Sequence, residues 1–192
     1  FMRAGDDKGG GAWTLVSGKW SLKSAWDQDP WGNKDRFINT NYAQNPFAWV
    51  GLNPDGAALC TAGKPFWEDY TLTTAVCPAP EGAAGVAVNL SDPQHGLLVR
   101  WTPANDRGPT GNQLALYRLD GAQRTLLAQR KGGYLSGQWY CLSVVSTLDG
   151  VRVLVDGTER LSAQDAVCWR GGIGLYAEGA RGTVFDDLTV YS

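Results

Sequence analysis

The stretch Gln138–Gly157, QWYCLSVVSTLDGVRVLVDG, decides how this chain reads. Two runs rich in Val, Leu and aromatic residues flank Asp149-Gly150, and a second pair, Asp156-Gly157, follows at once. Asp-Gly tolerates the left-handed backbone of the tight turns whose twist matches paired strands. Between alternating apolar runs it is therefore among the strongest short-range hairpin signals. A helix is excluded here by the β-branched density and by the glycines.

The same grammar extends in both directions. NQLALYRL and QRTLLAQR surround Asp120-Gly121. AAGVAVNL and GLLVRWT surround SDPQHG. WTLVSGKWSLKS reads as two short strands around Ser17-Gly18, and FAWVGL and AALCTA flank Asn53-Pro54-Asp55-Gly56, a turn by its chemistry. FWEDYTLTTAVC alternates so that Tyr70, Leu72, Thr74 and Val76 share one face. GGIGLYAEG and GTVFDDLTVYS close the chain. The sum is about a dozen strands at the spacing of a sandwich or jelly roll.

The last of these strands carries Asp186 and Asp187 side by side. Asp is a poor strand former, and alternation predicts that one carboxylate faces the inner layer. One long irregular stretch, residues 24–46, SAWDQDPWGNKDRFINTNYAQNP, has the length of a functional loop.

Composition narrows the class. The chain has 192 residues and a net charge of −2, with 43% hydrophobic and 19% charged residues, enough for a single domain spanning residues 1–192 with a real core. The charge gives no nucleic-acid footprint, and no apolar run approaches the roughly 20 residues of a membrane helix. The chain starts at Phe1 and reads as a processed or excised piece whose start lies upstream. The four cysteines, Cys60, Cys77, Cys141 and Cys168, form no C-x-x-C pair. They read as buried thiols of a cytosolic protein or as one or two disulfides of an exported one. Closeness in sequence suggests Cys60–Cys77 and Cys141–Cys168.

The run QWYCLSVV, DGVRVLVDG, GGIGLY, VFDDLTVY resembles the concanavalin A-like lectin/glucanase superfamily in its laminin-G-like branch, and GKW, WEDYTL and AGVAVNLSDPQHGLLVRW fit the same branch. The resemblance covers nearly the whole chain. It implies an all-β, two-sheet antiparallel jelly-roll sandwich in which the first strand pairs with the last. Such domains serve as lectins, glycosidases and adhesion modules alike, so the fold does not choose the function. The resemblance also implies a structural calcium where the chain ends meet. Asp187 or Asp186 would supply the carboxylate, and backbone carbonyls near Gly18 and the N-terminus the remaining oxygens. The other reading of the Asp pair is a carboxylate satisfied by backbone N–H groups or by an Arg such as Arg3.

Catalytic patterns are hard to find. Retaining glycosidases need two carboxyls about 5 Å apart, and no strand places acids at i, i+2 and i+4. Glu68 and Asp69 are adjacent, as are Asp186 and Asp187. His95, the single histidine, sits in a turn, and no serine stands in a nucleophile context. Asn89-Leu90-Ser91 is a formal glycosylation sequon of the kind chance produces. The reading leans against an enzyme.

Nine tryptophans carry the binding reading. Trp13, Trp20, Trp49, Trp67, Trp101 and Trp139 read as strand residues filling the core. Trp26 and Trp31, beside Asn33, Asp35 and Arg36 in the long loop, have the composition of a sugar site: rings for the apolar face of a pyranose and polar groups for its hydroxyls. The same rings would equally pin the loop to the sandwich. Arg100 and Trp101 would join the site if their strand is central. The reading is a non-catalytic, lectin-like carbohydrate-binding module of an extracellular, periplasmic or cell-surface protein. The alternative is a structural or adhesion module contacting proteins of an extracellular assembly, for which Trp26, Trp31 and Tyr42 would form a patch. A glycoside hydrolase or lyase is the third reading.

Overall fold

The Asp-Gly hairpins form where the sequence puts them. At Asp156 and Gly157 φ is 50° and 74°, the doubly positive geometry of a type I′ turn. The computed structural model describes residues 13–24, 47–164 and 168–192. These hold β1 (Thr14–Ser17), β2 (Lys19–Ser24), β3 (Phe47–Ala62), β4 (Tyr70–Cys77), β5 (Ala83–Asp92), β6 (His95–Trp101), β7 (Gln113–Asp120), β8 (Gln123–Lys131), β9 (Tyr140–Thr147), β10 (Gly150–Val155), β11 (Thr158–Ala163) and β12 (Gly172–Tyr191). The fold is an all-β antiparallel jelly-roll sandwich.

Two long strands make one sheet into two layers. The first half of β12 pairs with β5 and with the second half of β3; its second half pairs with β4 and with the first half of β3. One layer therefore runs β2-β3-β12-β4-β9-β10-β11, the other β1-β3-β12-β5-β6-β7-β8. The first strand does not pair with the last, as the resemblance implied: β1 and β2 both pair with β3, which lies between them and β12. Gly18 marks the bend between β1 and β2. Its φ is +73°, and a Cβ there would meet the Cβ of Ala58 at 2.4 Å, so only glycine lets the chain pass this close.

The core lies between the layers. Tyr70, Leu72, Thr74 and Val76 do share the buried face of β4, and they meet Trp49, Val86, Leu97, Leu116, Leu142, Val153, Leu175 and Phe185. Burial of each large apolar side chain contributes about 1.5–3 kcal/mol. A buried polar network ties the layers together. The Asn89 N–H donates to the Tyr70 hydroxyl at 2.8 Å, that hydroxyl donates to the Gly172 carbonyl at 3.2 Å, and Ser146 donates to the Asn89 Oδ1 at 2.9 Å. Asn89 Nδ2 donates to the Cys168 carbonyl at 2.8 Å. Asn89 is 2% exposed, so the Asn89 sequon is a packing residue and not a glycan acceptor.

Four local expectations are corrected. Asn53-Pro54-Asp55-Gly56 does not reverse the chain. The register jumps from Ala57 opposite Glu178 to Asn53 opposite Gly179, so Pro54, Asp55 and Gly56 bulge out where β3 changes layer. Proline has no N–H for the ladder, and Asn53 Nδ2 closes the bulge on the Ala57 carbonyl at 2.9 Å. The strand expected from Phe66 begins at Tyr70, because Asp69 takes a left-handed φ of 49° and accepts the Leu148 N–H at 3.1 Å. Glu68 and Asp69 are thus loop residues. Trp13, Trp67 and Trp139 lie just outside strands, although Trp13 and Trp67 pack on the core.

The cysteines form no disulfide. Cys60 lies in the main core, where burial pushes its thiol up to about 12. Cys77 belongs to a separate cluster with Ala48, Val50, Val184 and Trp139, on the opposite side of its layer. Cys141 is exposed on β9 while Cys168 packs against the core. Neither suggested pairing has the facing geometry a disulfide needs.

Candidate functional site

β5 explains how a polar site is laid on a sheet. In Ala83-Ala84-Gly85-Val86-Ala87-Val88, Ala84, Val86 and Val88 enter the core, so the small residues Ala83, Gly85 and Ala87 line the other face. Arg100 of β6 lies opposite Gly85, and so does Tyr176 of β12 on the other side. A Cβ at Gly85 would come within 1.9 Å of the Val99 carbonyl oxygen. The absent side chains leave a low floor across which Arg100 reaches β12.

There it meets Glu178. Arg100 Nε and Nη2 donate to the two Glu178 oxygens at 2.8 and 2.7 Å, a fork-to-fork pair. The Tyr176 hydroxyl donates to Glu178 Oε1, and Arg124 Nη2 donates to the Tyr176 oxygen at 3.3 Å. Arg124 also lies over the Tyr176 ring, 5.8 Å from its centre. The four side chains form one chain of donors ending on a carboxylate.

This contact shows the shape of the face. Arg124 is on β8, separated from β12 by β7, β6 and β5. In a flat sheet the two strands would stand about 19 Å apart, farther than a Tyr and an Arg span together. The layer is curled, and this is its concave side. Tyr117, opposite Leu98, is a half-buried ring on the same face.

Electrostatics follow from the pairing. Burial works to raise Glu178, but the Arg100 guanidinium and the Tyr176 hydroxyl outweigh it, and its carboxyl is held below the usual range. The Glu178 hydrogen bonds raise Arg100 above its ordinary value. Tyr176 is pushed up to about 12, first by burial and then by the Glu178 charge. The pair is only 16% and 20% exposed. Arg100 Nη1 has no partner among the described residues, so donors remain for a ligand. A carboxylate held ionised accepts hydrogen bonds well and is a poor proton donor at neutral pH.

The expected site residues separate. Arg100 belongs to this array, on the interior strand β6. Trp101, its neighbour, turns to the other side of the sheet, where its Nε1–H donates to the Gly132 carbonyl at 3.0 Å. Trp26, Trp31, Asn33, Asp35, Arg36 and Tyr42 lie outside the described residues. Asp186 and Asp187 sit at a break in register between β12 and β4, a bulge that replaces strict alternation. Asp187 takes φ 47° and is exposed. Asp186 is 7% exposed and accepts the Asp187 N–H at 2.8 Å. Neither carboxylate enters the inner layer. Phe185 does, and Asp186 follows Val184 to the other face. Burial, and secondarily the Asp187 charge, push Asp186 up to about 6.

Gly18 lies against Leu52 and Ala58, whereas Trp49 is opposite Phe185, so strand geometry puts Gly18 about 15 Å from Asp186. The Asp186, Asp187 and Gly18 set does not converge on one ion. The described residues hold no group of three or more acidic, His or Cys side chains suited to a metal. His95 bridges turn acids, with Nδ1 2.8 Å from Asp92 and Nε2 3.6 Å from Asp120.

Glu178, Tyr176 and Arg124 were not singled out from the sequence. The signal was present for two of them: in IGLYAEG, alternation puts Tyr176 and Glu178 on the face opposite Ile173, Leu175 and Ala177. Their partner Arg100 is remote in sequence, and Arg124 becomes a neighbour only through the curl of the sheet.

No family model matches the chain, and no curated protein matches it in sequence. Solved structures match its fold. The carbohydrate-binding module CBM66 from Bacillus subtilis superposes with a TM-score of 0.72 at 17% identity, over 94% of this chain and 96% of that one. A Bacillus subtilis protein of unknown function with a galectin-like fold gives 0.66 at 13% identity, over 93% and 88%. The galectin LEC-6 of Caenorhabditis elegans gives 0.55 at 11% identity, over 74% and 96%. The fold is therefore a galectin-like, lectin-type jelly roll.

Proposed function

We propose that this domain is a non-catalytic carbohydrate-binding module that takes its glycan on the concave face. The observation that carries the reading is the array Arg124–Tyr176–Glu178–Arg100, laid over the small residues of β5 beside the Tyr117 ring. A sugar site needs donors and acceptors fixed before the ligand arrives, because ordering them afterwards costs affinity. It also needs a ring for the apolar face of the pyranose. This face offers both, and its one carboxylate is committed to holding Arg100. The fold shared with a carbohydrate-binding module and a galectin supports the same reading. The finer resemblance, to the laminin-G-like branch of the concanavalin A-like superfamily, rests on the sequence motifs from Gln138 onward and the earlier segments that fit them. We place the host protein outside the cytoplasm, where polymeric glycans are met; among the described residues no helix is long and apolar enough to cross a membrane.

The test is a glycan array followed by titration calorimetry on any hit, with Arg124→Ala and Tyr117→Ala beside the parent. Both variants alter half-exposed or exposed groups, so the fold is expected to survive. Each should weaken binding by about tenfold, as loss of one charge-assisted hydrogen bond or one stacking ring does. Unchanged affinity in both moves the site off this face, and Trp26→Ala and Trp31→Ala in the same assay then test the long loop. A folded parent that binds no glycan favours the module that contacts proteins.

A further inference from the structure

A second polar recess lies at the side of the sandwich, where the β8 edge of one layer faces the β11 edge of the other. It is a cavity of about 210 Å³ lined by Trp101, Tyr140, Arg130, Lys131, Arg160 and Asp156, with Gly132 and Gly133 at its rim. It is distinct from the concave face: Trp101 points through β6 to the side opposite Arg100.

We propose that this edge cleft is a second binding site, for an acidic sugar residue bearing a carboxylate or a sulfate. Three features converge on it. Arg130 lies opposite Leu114, a core residue, so its side chain enters the cleft from the inner face of β8. Arg160 is the extra residue of a bulge, since Leu161 pairs with Val153 while Glu159 pairs with Leu154. A bulge re-aims the side chain it carries. Here it separates Arg160 from Glu159, whose carboxylate instead lies 3.7 Å from Arg152 on the outer face. Lys131 ends β8 at the same rim.

Among the described residues no ion pair occupies these cations. Arg130, Lys131 and Arg160 have no acidic partner among the described residues, whereas Arg100 is bound by Glu178 at 2.7 Å. The one carboxylate in the lining, Asp156, already accepts the Cys141 N–H at 2.8 Å, leaving its second oxygen to accept a hydroxyl. An inward charge on an edge strand also discourages edge-to-edge pairing. That purpose needs one cation and no floor. Here the floor is an aromatic corner: the Trp101 and Tyr140 rings meet edge-on at 4.7 Å and 65°, and the Trp101 Nε1–H bond to Gly132 fixes the indole.

Ring, cations and size together define the ligand. Guanidinium forks match carboxylate and sulfate oxygens in a bidentate way, and an aromatic floor suits the C–H face of a pyranose. The volume is below the roughly 300–1,000 Å³ of pockets for drug-sized ligands, which leaves room for one sugar ring. The demand for an anion rests on the cleft alone; the choice of a sugar rests on the glycan-binding reading.

The test follows the Trp101 indole N–H and the Arg130 and Arg160 Nε–H signals by NMR in the full chain. The probes are a glucuronate-containing disaccharide, a sulfated disaccharide, an uncharged disaccharide, and free acetate and sulfate. The two acidic sugars should move the signals, the uncharged one should not, and free acetate and sulfate should bind at least tenfold more weakly than the sugars. Arg130→Gln with Arg160→Gln should weaken the acidic sugars at least tenfold while the melting temperature holds. Arg124→Ala, on the concave face, should leave this binding intact. Equal binding of the uncharged disaccharide, or an unchanged double variant, overturns the site. Free sulfate or acetate binding as tightly as the sugars reduces the cleft to a small-anion patch and removes the sugar, with the concave face still judged by its own variants.

Discussion

Glu178, half-buried, and Asp186, buried, are two carboxylates on one strand, β12, in the halves that serve the two layers, and their surroundings drive them apart. Burial works to raise both. Glu178 receives two guanidinium donors and a phenol and stays below the usual carboxylate range. Asp186 receives one backbone N–H, feels the Asp187 charge, and rises to about 6. The lesson is that desolvation sets the starting cost and the donors decide the outcome. The half of β12 that faces the proposed glycan holds its charge; the other half gives it up on mild acidification.

Breaking the first half should have the largest effect. Glu178→Gln leaves the Arg100 guanidinium on a largely buried face without its counter-charge, and the expected loss is about 2–3 kcal/mol in urea denaturation. Replacing both partners by apolar residues, Arg100→Met with Glu178→Leu, should recover most of that loss, because the penalty lies in the orphaned charge and not in the absent pair. If the double variant is as unstable as the single one, the pair does not act as a unit.

The second half should respond in the opposite sense. Asp186→Asn keeps an acceptor for the Asp187 N–H and removes the charge. At pH 7 it should stabilise the domain by about 1–3 kcal/mol, since each pKa unit is worth about 1.4 kcal/mol. The sign follows from linkage. The folded pKa of Asp186 is raised, so its contribution is fully present below about pH 4 and is lost as pH climbs through about 6. The advantage of Asn should therefore vanish near pH 4. Glu178 behaves inversely. Its folded pKa is lowered, so its stabilisation is present above its unfolded value and is lost as pH falls through the folded one. Melting temperatures of the parent, Asp186→Asn and Glu178→Gln, spread at pH 7, should converge as pH falls towards 3; a constant offset between the parent and Asp186→Asn would show that Asp186 does not titrate as placed.

Much of the fold was legible, and for a physical reason. Asp-Gly turns and period-2 alternation are local, and locality is what a sequence displays. The core face of β4 and the hairpins at Asp120-Gly121, Asp149-Gly150 and Asp156-Gly157 follow from neighbours a few residues apart. The errors lie where a local signal met a long-range demand. Asn53-Pro54-Asp55-Gly56 has turn chemistry, but β3 must continue into the other layer, so the same residues become a bulge. Asp186-Asp187 is a poor strand pair, and the answer was again a bulge. The site was less legible, because its partners are far apart in sequence: Arg100 and Glu178 meet only once β5 lies between them, and Arg124 only once the sheet curls.

The smallest expected effect concerns calcium at the closing Asp pair, and it sharpens the comparison most. A cation beside Asp186 would do there what Arg100 does for Glu178: favour the ionised form and pull the carboxyl down from about 6. Gly18 is too distant to share the ion, so other oxygens would have to complete the shell. At ten times its dissociation constant, a bound ion would add about 1.4 kcal/mol to stability. If an ion binds there, that gain would appear at pH 7 in the parent, fade below pH 5 as protons compete, and be absent in Asp186→Asn. Differential scanning fluorimetry in calcium and in EDTA reads all three. Identical melting in both solutions at every pH removes the ion and leaves Asp186 as a carboxylate whose burial a single backbone N–H does not offset, the counterpart of Glu178 in the other half of the strand.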